Sequence, residues 1–188
     1  LLNQAVAVSA AFLPKDALVV YTDGRTPDAR MRLSARREDY SRRGDDYLSR
    51  EGASGNFSAV NFWFTRYQSL ADAWSLKLAS AGQMASGPLF TSQQFYLGGI
   101  AFGRGYGSAE ISGDNGLAGS LELRFDQKAN FKYLSGYQVY AFVDSGVAWN
   151  SGYRLSDGLS LTSAGGGVRF FLTEGLQADI GAAAPLSY

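Results

Sequence analysis

The chain has 188 residues, and 17 lysines and arginines balance 17 aspartates and glutamates, so its net charge gives no reason to expect a nucleic-acid partner. It contains no cysteine, which excludes disulfides and thiolate metal sites. It also contains no histidine, which excludes Ser-His-Asp and Cys-His nucleophilic sites and histidine-bound zinc. We therefore expect neither an enzyme nor a bound cofactor.

No run of about 18 apolar residues occurs, so the sequence predicts no transmembrane helix. The chain opens with Leu1-Leu2-Asn3, without an initiator methionine or a signal peptide. We expect it to be a piece of a longer precursor that carries the signal peptide.

Alternation of apolar and polar residues runs through most of the chain. Segments 3–13 and 17–22 resemble strands of undetermined register, and clearer alternation follows at 29–37, 57–67, 74–83, 116–125, 137–149, 160–172 and 176–186. In 116–125, for example, Leu121 and Leu123 share one face while Glu122 and Arg124 share the other. A period of two is the signature of strands with unlike faces, so we predict an all-β chain of about eight or nine strands.

Segment 137–149 adds information about length. Its apolar face begins with Tyr137 and ends with Trp149, and the opposite face carries Gln138, Tyr140 and Asp144. Twelve steps of about 3.3 Å, tilted by roughly 40°, rise on the order of 30 Å, which suits an outer-membrane apolar band bordered by aromatic residues. Short links at 69–73, 127–136 and 173–175 alternate with long ones at 38–56, 84–115 and 150–158, as in an antiparallel transmembrane β-barrel. A soluble β-sandwich or lipocalin-like barrel also alternates and is the alternative.

The stretch Phe95–Tyr106 does not alternate, and its glycines predict a shaped loop that is neither helix nor strand. Together with Ser112-Gly113-Asp114-Asn115-Gly116 and Ser120-Leu121-Glu122-Leu123-Arg124, it resembles the haemolysin activation/secretion proteins, the outer-membrane transporters of two-partner secretion. Their superfamily also contains the outer-membrane assembly factors. The motifs trace the resemblance from about Asn56 to Tyr188, and more weakly before that.

The resemblance implies a long extracellular loop, here about 84–115, that folds back into the barrel. Its tip would be Arg104-Gly105-Tyr106, preceded by Gly98 and Gly99, with Gly103 where the family often has valine. The family's wall motif Phe-x-Asp-x-Gly is matched by Phe142, Asp144 and Gly146. Residues 1–188 would then be the C-terminal part of one barrel domain of sixteen strands.

The residues themselves support a contact between the two motifs. By parity Asp144 lies on the polar face of its strand, where an arginine on an inward loop can form a bidentate pair with it. The alternative is a solvated Arg104 and an Asp144 that lines a water-filled pore. The polar faces also carry charges that we expect to form a network with the loop: Lys77, Glu122, Arg124, Arg169 and Asp179. Asp114 is interpreted as a turn residue.

The family resemblance implies secretion of a large partner exoprotein of the haemolysin or haemagglutinin type through the bacterial outer membrane. The alternatives are a barrel-assembly or insertion factor of the same superfamily and a small passive porin or adhesin barrel. Expected partners are the exoprotein, outer-membrane lipid and lipopolysaccharide. The basic cluster between Arg25 and Arg43 would bind lipopolysaccharide phosphates, line the conduit or form a solvated rim.

Overall fold

The computed structural model describes residues 18–21, 29–39, 56–152, 157–173 and 176–187. Eight strands form one antiparallel sheet in the order β1-β2-β3-β4-β7-β8-β9-β10: β1 Leu18–Tyr21, β2 Ala29–Asp39, β3 Asn56–Ser69, β4 Trp74–Ala85, β7 Asn115–Phe131, β8 Leu134–Trp149, β9 Leu159–Thr173 and β10 Leu176–Ser187. Two short strands, β5 Phe95–Leu97 and β6 Ile111–Gly113, form a separate ribbon. The all-β, antiparallel prediction is confirmed, while the strand expected at 3–13 lies outside the described residues.

The two faces of the sheet differ as the alternation predicts. On β8 the side chains of Gln138, Tyr140 and Asp144 are buried, whereas Val139 and Val143 are 42% and 49% exposed. On β7 Glu122 is buried and its outward neighbours are exposed. We call the face that carries Glu122 and Asp144 the inner face, because the segment between β4 and β7 packs against it. A soluble sandwich would bury the aliphatic face in a core, and this sheet leaves that face exposed.

Register explains why the inner-face residues meet across strands. Antiparallel pairing sets Lys77 of β4 opposite Glu122 of β7, and Ser120 of β7 opposite Asp144 of β8. Residues directly opposite each other point to the same side of a sheet. The charges that the sequence scatters over 100 residues therefore lie side by side on one surface.

Two expectations about the connections are wrong. The stretch Phe95–Tyr106 is not entirely without strand, because Phe95–Leu97 pairs with Ile111–Gly113. The link expected at 127–136 is instead a continuation of β7 and β8 to a two-residue turn at Lys132 and Tyr133. The hairpin end of β7 and β8 extends past the neighbouring strands, so both of its faces meet solvent. The alternation that marks a half-buried strand is therefore lost there.

Helical structure among the described residues is limited to 3-10 turns, of which the one at Thr91–Gln93 is described in full. In the same part of the chain no helix is long and apolar enough to cross a membrane. No group of three or more acidic side chains there is arranged to hold a metal ion.

Candidate functional site

The segment from Ser86 to Asp114, which we call the inner loop, leaves the sheet after β4 and returns to it at β7. Its base is fastened by Asp114, whose side chain is fully buried. The carboxylate of Asp114 accepts the backbone N–H of Leu89 at 3.0 Å and that of Ser151 at 2.8 Å. The side-chain oxygen of Asn115 accepts the backbone N–H of Ala85 at 2.9 Å. We call this the base knot. Asp114 lies at a bend directly before β7, as expected, and its buried carboxylate in addition fastens the base of the loop.

The far end of the inner loop folds back on itself through three glycines with positive φ. These are Gly98 at 108°, Gly99 at 87° and Gly103 at 87°, a region in which L side chains are strained. The N–H of Gly98 donates to Phe102 O at 3.0 Å, and that of Tyr106 donates to Gly103 O at 3.0 Å. The glycine standing where the family often has valine is thus suited to the turn that presents Arg104.

Arg104 lies against the inner face and binds two carboxylates there. Its Nε and Nη2 donate to the two oxygens of Asp144 at 2.9 and 2.8 Å, a bidentate arrangement. Its Nη1 donates to Glu122 at 2.5 Å, and Nη2 also reaches Ser120 Oγ at 3.1 Å. The guanidinium lies 3.4 Å from the centroid of the Phe142 ring, a cation–π contact.

Asp144 also binds the backbone of the loop tip. Its Oδ2 accepts the N–H groups of Gly103 at 3.2 Å and Arg104 at 3.1 Å, and its side chain is fully buried. The third motif residue, Gly146, leaves room for the loop: a Cβ there would lie 2.8 Å from a methyl group of Leu97. All three residues of Phe142-x-Asp144-x-Gly146 therefore contact the inner loop.

Glu122 is the centre of a wider ion-pair network. Its side chain is 1% exposed and accepts from Arg104, from Arg124 at 2.8 Å and from Arg169 at 2.9 Å. Arg169 continues the network to Asp179 at 2.8 Å. With Asp144, this gives three carboxylates on strands β7, β8 and β10 at hydrogen-bonding distance from three guanidinium groups, two on strands β7 and β9 and one on the inner loop.

Lys77 differs from the other residues expected in this network. It lies on the inner face beside Glu122, yet within the described residues it forms no ion pair with any carboxylate. A cavity of about 470 Å³ separates the loop tip from this part of the wall, and Lys77, Arg104, Glu122 and Arg169 are among the residues that line it.

Gly105 and Tyr106 extend the contact to β9 and β10. A Cβ on Gly105 would lie 2.8 Å from Ser163 Cβ and from the backbone of Ala184, so only glycine approaches the wall this closely. The Tyr106 hydroxyl donates to Thr162 O at 2.9 Å and also contacts Ser187 O. These contacts lie where β10 has a register shift between Pro185 and Ser187. The loop tip thus bridges four consecutive strands, β7 to β10.

Glycines of β9 make the flat wall on which this site rests, a role that the sequence pattern alone does not show. Phe142 is directly opposite Gly165, and Tyr140 is directly opposite Gly167. A Cβ on Gly165 would lie 2.7 Å from Phe142 Cζ, and one on Gly167 would lie 2.6 Å from the Tyr140 hydroxyl. The rings therefore lie across the neighbouring strand, and Phe142 presents its face to Arg104.

The substitution Gly165→Ala should destabilise the assembled barrel by about 1–3 kcal/mol, because the added Cβ would clash with Ala182 O of β10 and lie 2.7 Å from Phe142 Cζ. The backbone of β10 then has to shift, and the Phe142 ring has to tilt away from Arg104. The measurement is the temperature at which the assembled full-length barrel loses its compact migration on an unheated SDS gel. Gly119→Ala is the matched control, because a Cβ there meets nothing closer than Ala79 O at 3.9 Å. Equal unfolding temperatures for the two variants would contradict this role of Gly165.

The basic cluster between Arg25 and Arg43 lies partly outside the described residues. Arg25, Arg42 and Arg43 are not described, and Arg30, Arg32, Arg36 and Arg37 are known only as positions on β2. Its assignment to lipopolysaccharide or to the conduit therefore stays a prediction.

Comparison with known proteins identifies the fold and the family. The sequence profile described as haemolysin secretion/activation protein ShlB/FhaC/HecB matches residues 28–170, and it begins upstream of Asn56, from which the motifs alone trace the resemblance. No curated protein matches the sequence significantly. Among solved structures, CdiB from Escherichia coli matches with a TM-score of 0.71 and 18% identity, over 92% of this chain and 32% of CdiB.

The chain thus spans about a third of the length of CdiB, and the described sheet corresponds to part of the CdiB barrel. The family profile covers well over half of the chain. The recognition made from the Arg-Gly-Tyr and Phe-x-Asp-x-Gly motifs is confirmed. The chain belongs to the haemolysin secretion/activation family ShlB/FhaC/HecB, the outer-membrane transporters of two-partner secretion, which are not enzymes.

Proposed function

We propose that this chain forms the C-terminal part of one outer-membrane barrel domain, through which a large partner exoprotein of the haemolysin or haemagglutinin type is secreted. The inner loop lies in the lumen at rest, where Arg104 and Asp144 hold it against the wall. The exoprotein passes when the loop leaves this position. The barrel contacts outer-membrane lipid and lipopolysaccharide through its exposed aliphatic face.

The observation that carries the proposal is the attachment of the loop tip to the inner face by Arg104. Four side-chain hydrogen bonds run from its guanidinium to Asp144, Glu122 and Ser120. In bulk water one ion pair of this kind contributes about 0–1 kcal/mol. Here Asp144 and Glu122 are almost completely buried, and loss of one partner from a buried pair costs roughly 3–5 kcal/mol. That range suits a contact that holds a loop firmly and can still be reversed by a strong competing interaction.

The attachment also has the geometry of a barrier. The tip contacts strands β7 to β10, and Leu97 and Phe102 are buried with Ala118 and Leu161 of the wall. The loop therefore fills space along the inner face with apolar side chains as well as with Arg104. As the family resemblance implies, the energy for transport would come from folding of the exoprotein outside the cell.

A reversible cross-link between the tip and the wall tests whether the loop has to move. Residues 1–188 contain no cysteine, so Gly105→Cys with Ser163→Cys introduces a single pair in this part of the transporter. The two Cβ positions are 2.8 Å apart, and a shift of about 1 Å reaches disulfide geometry. In the full-length transporter, the oxidised double variant should secrete at least about tenfold less exoprotein into the supernatant than the same cells after reduction.

The two single-cysteine variants are the controls, because they carry the same side chains and cannot form the bond. Their secretion should not depend on the reductant. Undiminished secretion by cells in which gel mobility shows the cross-link to be complete would refute the requirement for loop movement.

A further inference from the structure

Lys77 lies directly opposite Glu122, the carboxylate of the wall that pairs with three arginines. It lies on β4 in direct register with Glu122 of β7, and both side chains belong to the inner face. Directly opposite Cβ atoms are about 4.5–5.5 Å apart, and a lysine stem is long enough to span that distance. Within the described residues, however, Lys77 forms neither an ion pair nor a hydrogen bond.

Glu122 is already paired with three arginines. Its Oε1 accepts from Arg124 and Arg169, and its Oε2 accepts from Arg104. Lys77 instead lines the cavity of about 470 Å³ that lies between the loop tip and the wall. Its ammonium group is thus kept beside the network in a space that gives it freedom to change rotamer.

Departure of the loop would change the charges around this lysine. When Arg104 leaves, Glu122 Oε2 and both oxygens of Asp144 lose their donor. A buried carboxylate without a cation is strongly destabilising. Glu122 would keep two arginines, but its Oε2 would face the space that Arg104 had filled, beside the cavity that Lys77 also lines from the neighbouring strand.

We propose that Lys77 is a positioning residue that replaces Arg104 as the donor to Glu122 Oε2 when the loop leaves the wall. The exchange requires only a new lysine rotamer and no backbone movement. It lowers the free energy of the released state and leaves that of the seated state unchanged. Glu122 Oε2 then has a cationic donor in both states, Arg104 when the loop is seated and Lys77 when it is released. This inference rests on the proposed release of the loop, and its test separates the two.

The test is a double-mutant cycle on the full-length transporter, with barrel unfolding temperature as the readout. Lys77→Met alone should change that temperature little, because Lys77 has no partner in the seated state. In an Arg104→Ala background, where Lys77 already binds Glu122, the same change should lower the temperature by several degrees. Lys77→Arg in that background should restore it, since the charge is kept.

The frequency of the released state can also be measured directly, as the frequency of open-channel events in planar bilayers. Lys77→Met should make open-channel events about two- to fivefold rarer, as expected for loss of one partly exposed ion pair in the open state. Lys128→Met, on the exposed end of β7, is the matched control and should leave both readouts unchanged.

Additive effects of Lys77→Met and Arg104→Ala on unfolding would overturn the proposal, whatever the channel recordings give. Coupling in the unfolding cycle supports the exchange of donors even if secretion proves independent of loop movement. In that case it is the proposed gating function that fails, because the cycle measures the stability of the barrel and does not measure transport.

Discussion

Asp144→Ala should give a transporter that leaks small solutes at rest and secretes less exoprotein, while its barrel still assembles. The substitution removes both oxygens that hold the Arg104 guanidinium and the acceptor for two backbone N–H groups of the tip. Breaking a buried pair in this way costs roughly 3–5 kcal/mol, enough to reduce the seated population more than tenfold. Secretion should fall severalfold, because the exoprotein then meets a channel whose inner loop is no longer seated against the wall.

The measurements are uptake of a large antibiotic by intact cells, exoprotein in the culture supernatant, and heat-dependent migration of the barrel on a gel. Arg104→Ala should reproduce both effects, and the double variant should be little worse than either single one, because the two side chains act together. Arg66→Ala is the matched control, since the Arg66 side chain is exposed and, among the described residues, bonds only to Gln68 at 2.8 Å. A tight channel with normal secretion in both single variants would rule out a gating role for the pair.

Glu122→Ala should affect the stability of the barrel itself as well as the loop. The change leaves Arg104, Arg124 and Arg169 around a space from which their shared carboxylate is missing. Three clustered guanidinium groups repel one another, and Arg124 then lacks its one ion-pair partner among the described residues. We expect a loss of roughly 3–5 kcal/mol, seen as a lower unfolding temperature of the assembled barrel.

Glu122→Gln should lie between the wild type and Glu122→Ala, because the amide keeps one acceptor and the shape but loses the charge. The control is Asp126→Ala on the same strand, where an exposed carboxylate accepts from Gln138 at 2.7 Å. An unfolding temperature for Glu122→Ala equal to that of Asp126→Ala would show that the buried network does not stabilise this part of the sheet.

Much of the sheet could be predicted from the sequence, because strict alternation assigns each residue to a face. Asp144, Glu122 and Arg169 were assigned to the polar face by parity alone, and the structure has them on the inner face. The partner of Asp144 was not derivable in that way. No periodicity connects a glycine-rich stretch to a wall forty residues later, and the expectation came from the resemblance of the two motifs to a known family.

The features that sequence reasoning missed leave no periodic pattern in the sequence, each for its own physical reason. Phe95–Leu97 is only three residues long, too short for alternation to be distinguished from chance. Asp114 precedes Asn115 and Gly116, a combination typical of turns, and nothing local signals its burial. Gly165 was assigned to the correct face, but which ring crosses it depends on the register of the neighbouring strand.

The base knot has a mechanical consequence for any motion of the inner loop. Asp114 and Asn115 bond the start of β7 to Ala85 at the end of β4, to Leu89 and to Ser151 after β8. The base of the loop is therefore hydrogen-bonded to three separate parts of the chain. The paired segments Phe95–Leu97 and Ile111–Gly113 follow directly and stiffen the stem. A displacement that keeps these bonds has to swing as a rigid arm about a fixed pivot, which carries Arg104 through an arc and brings it back to the same carboxylate.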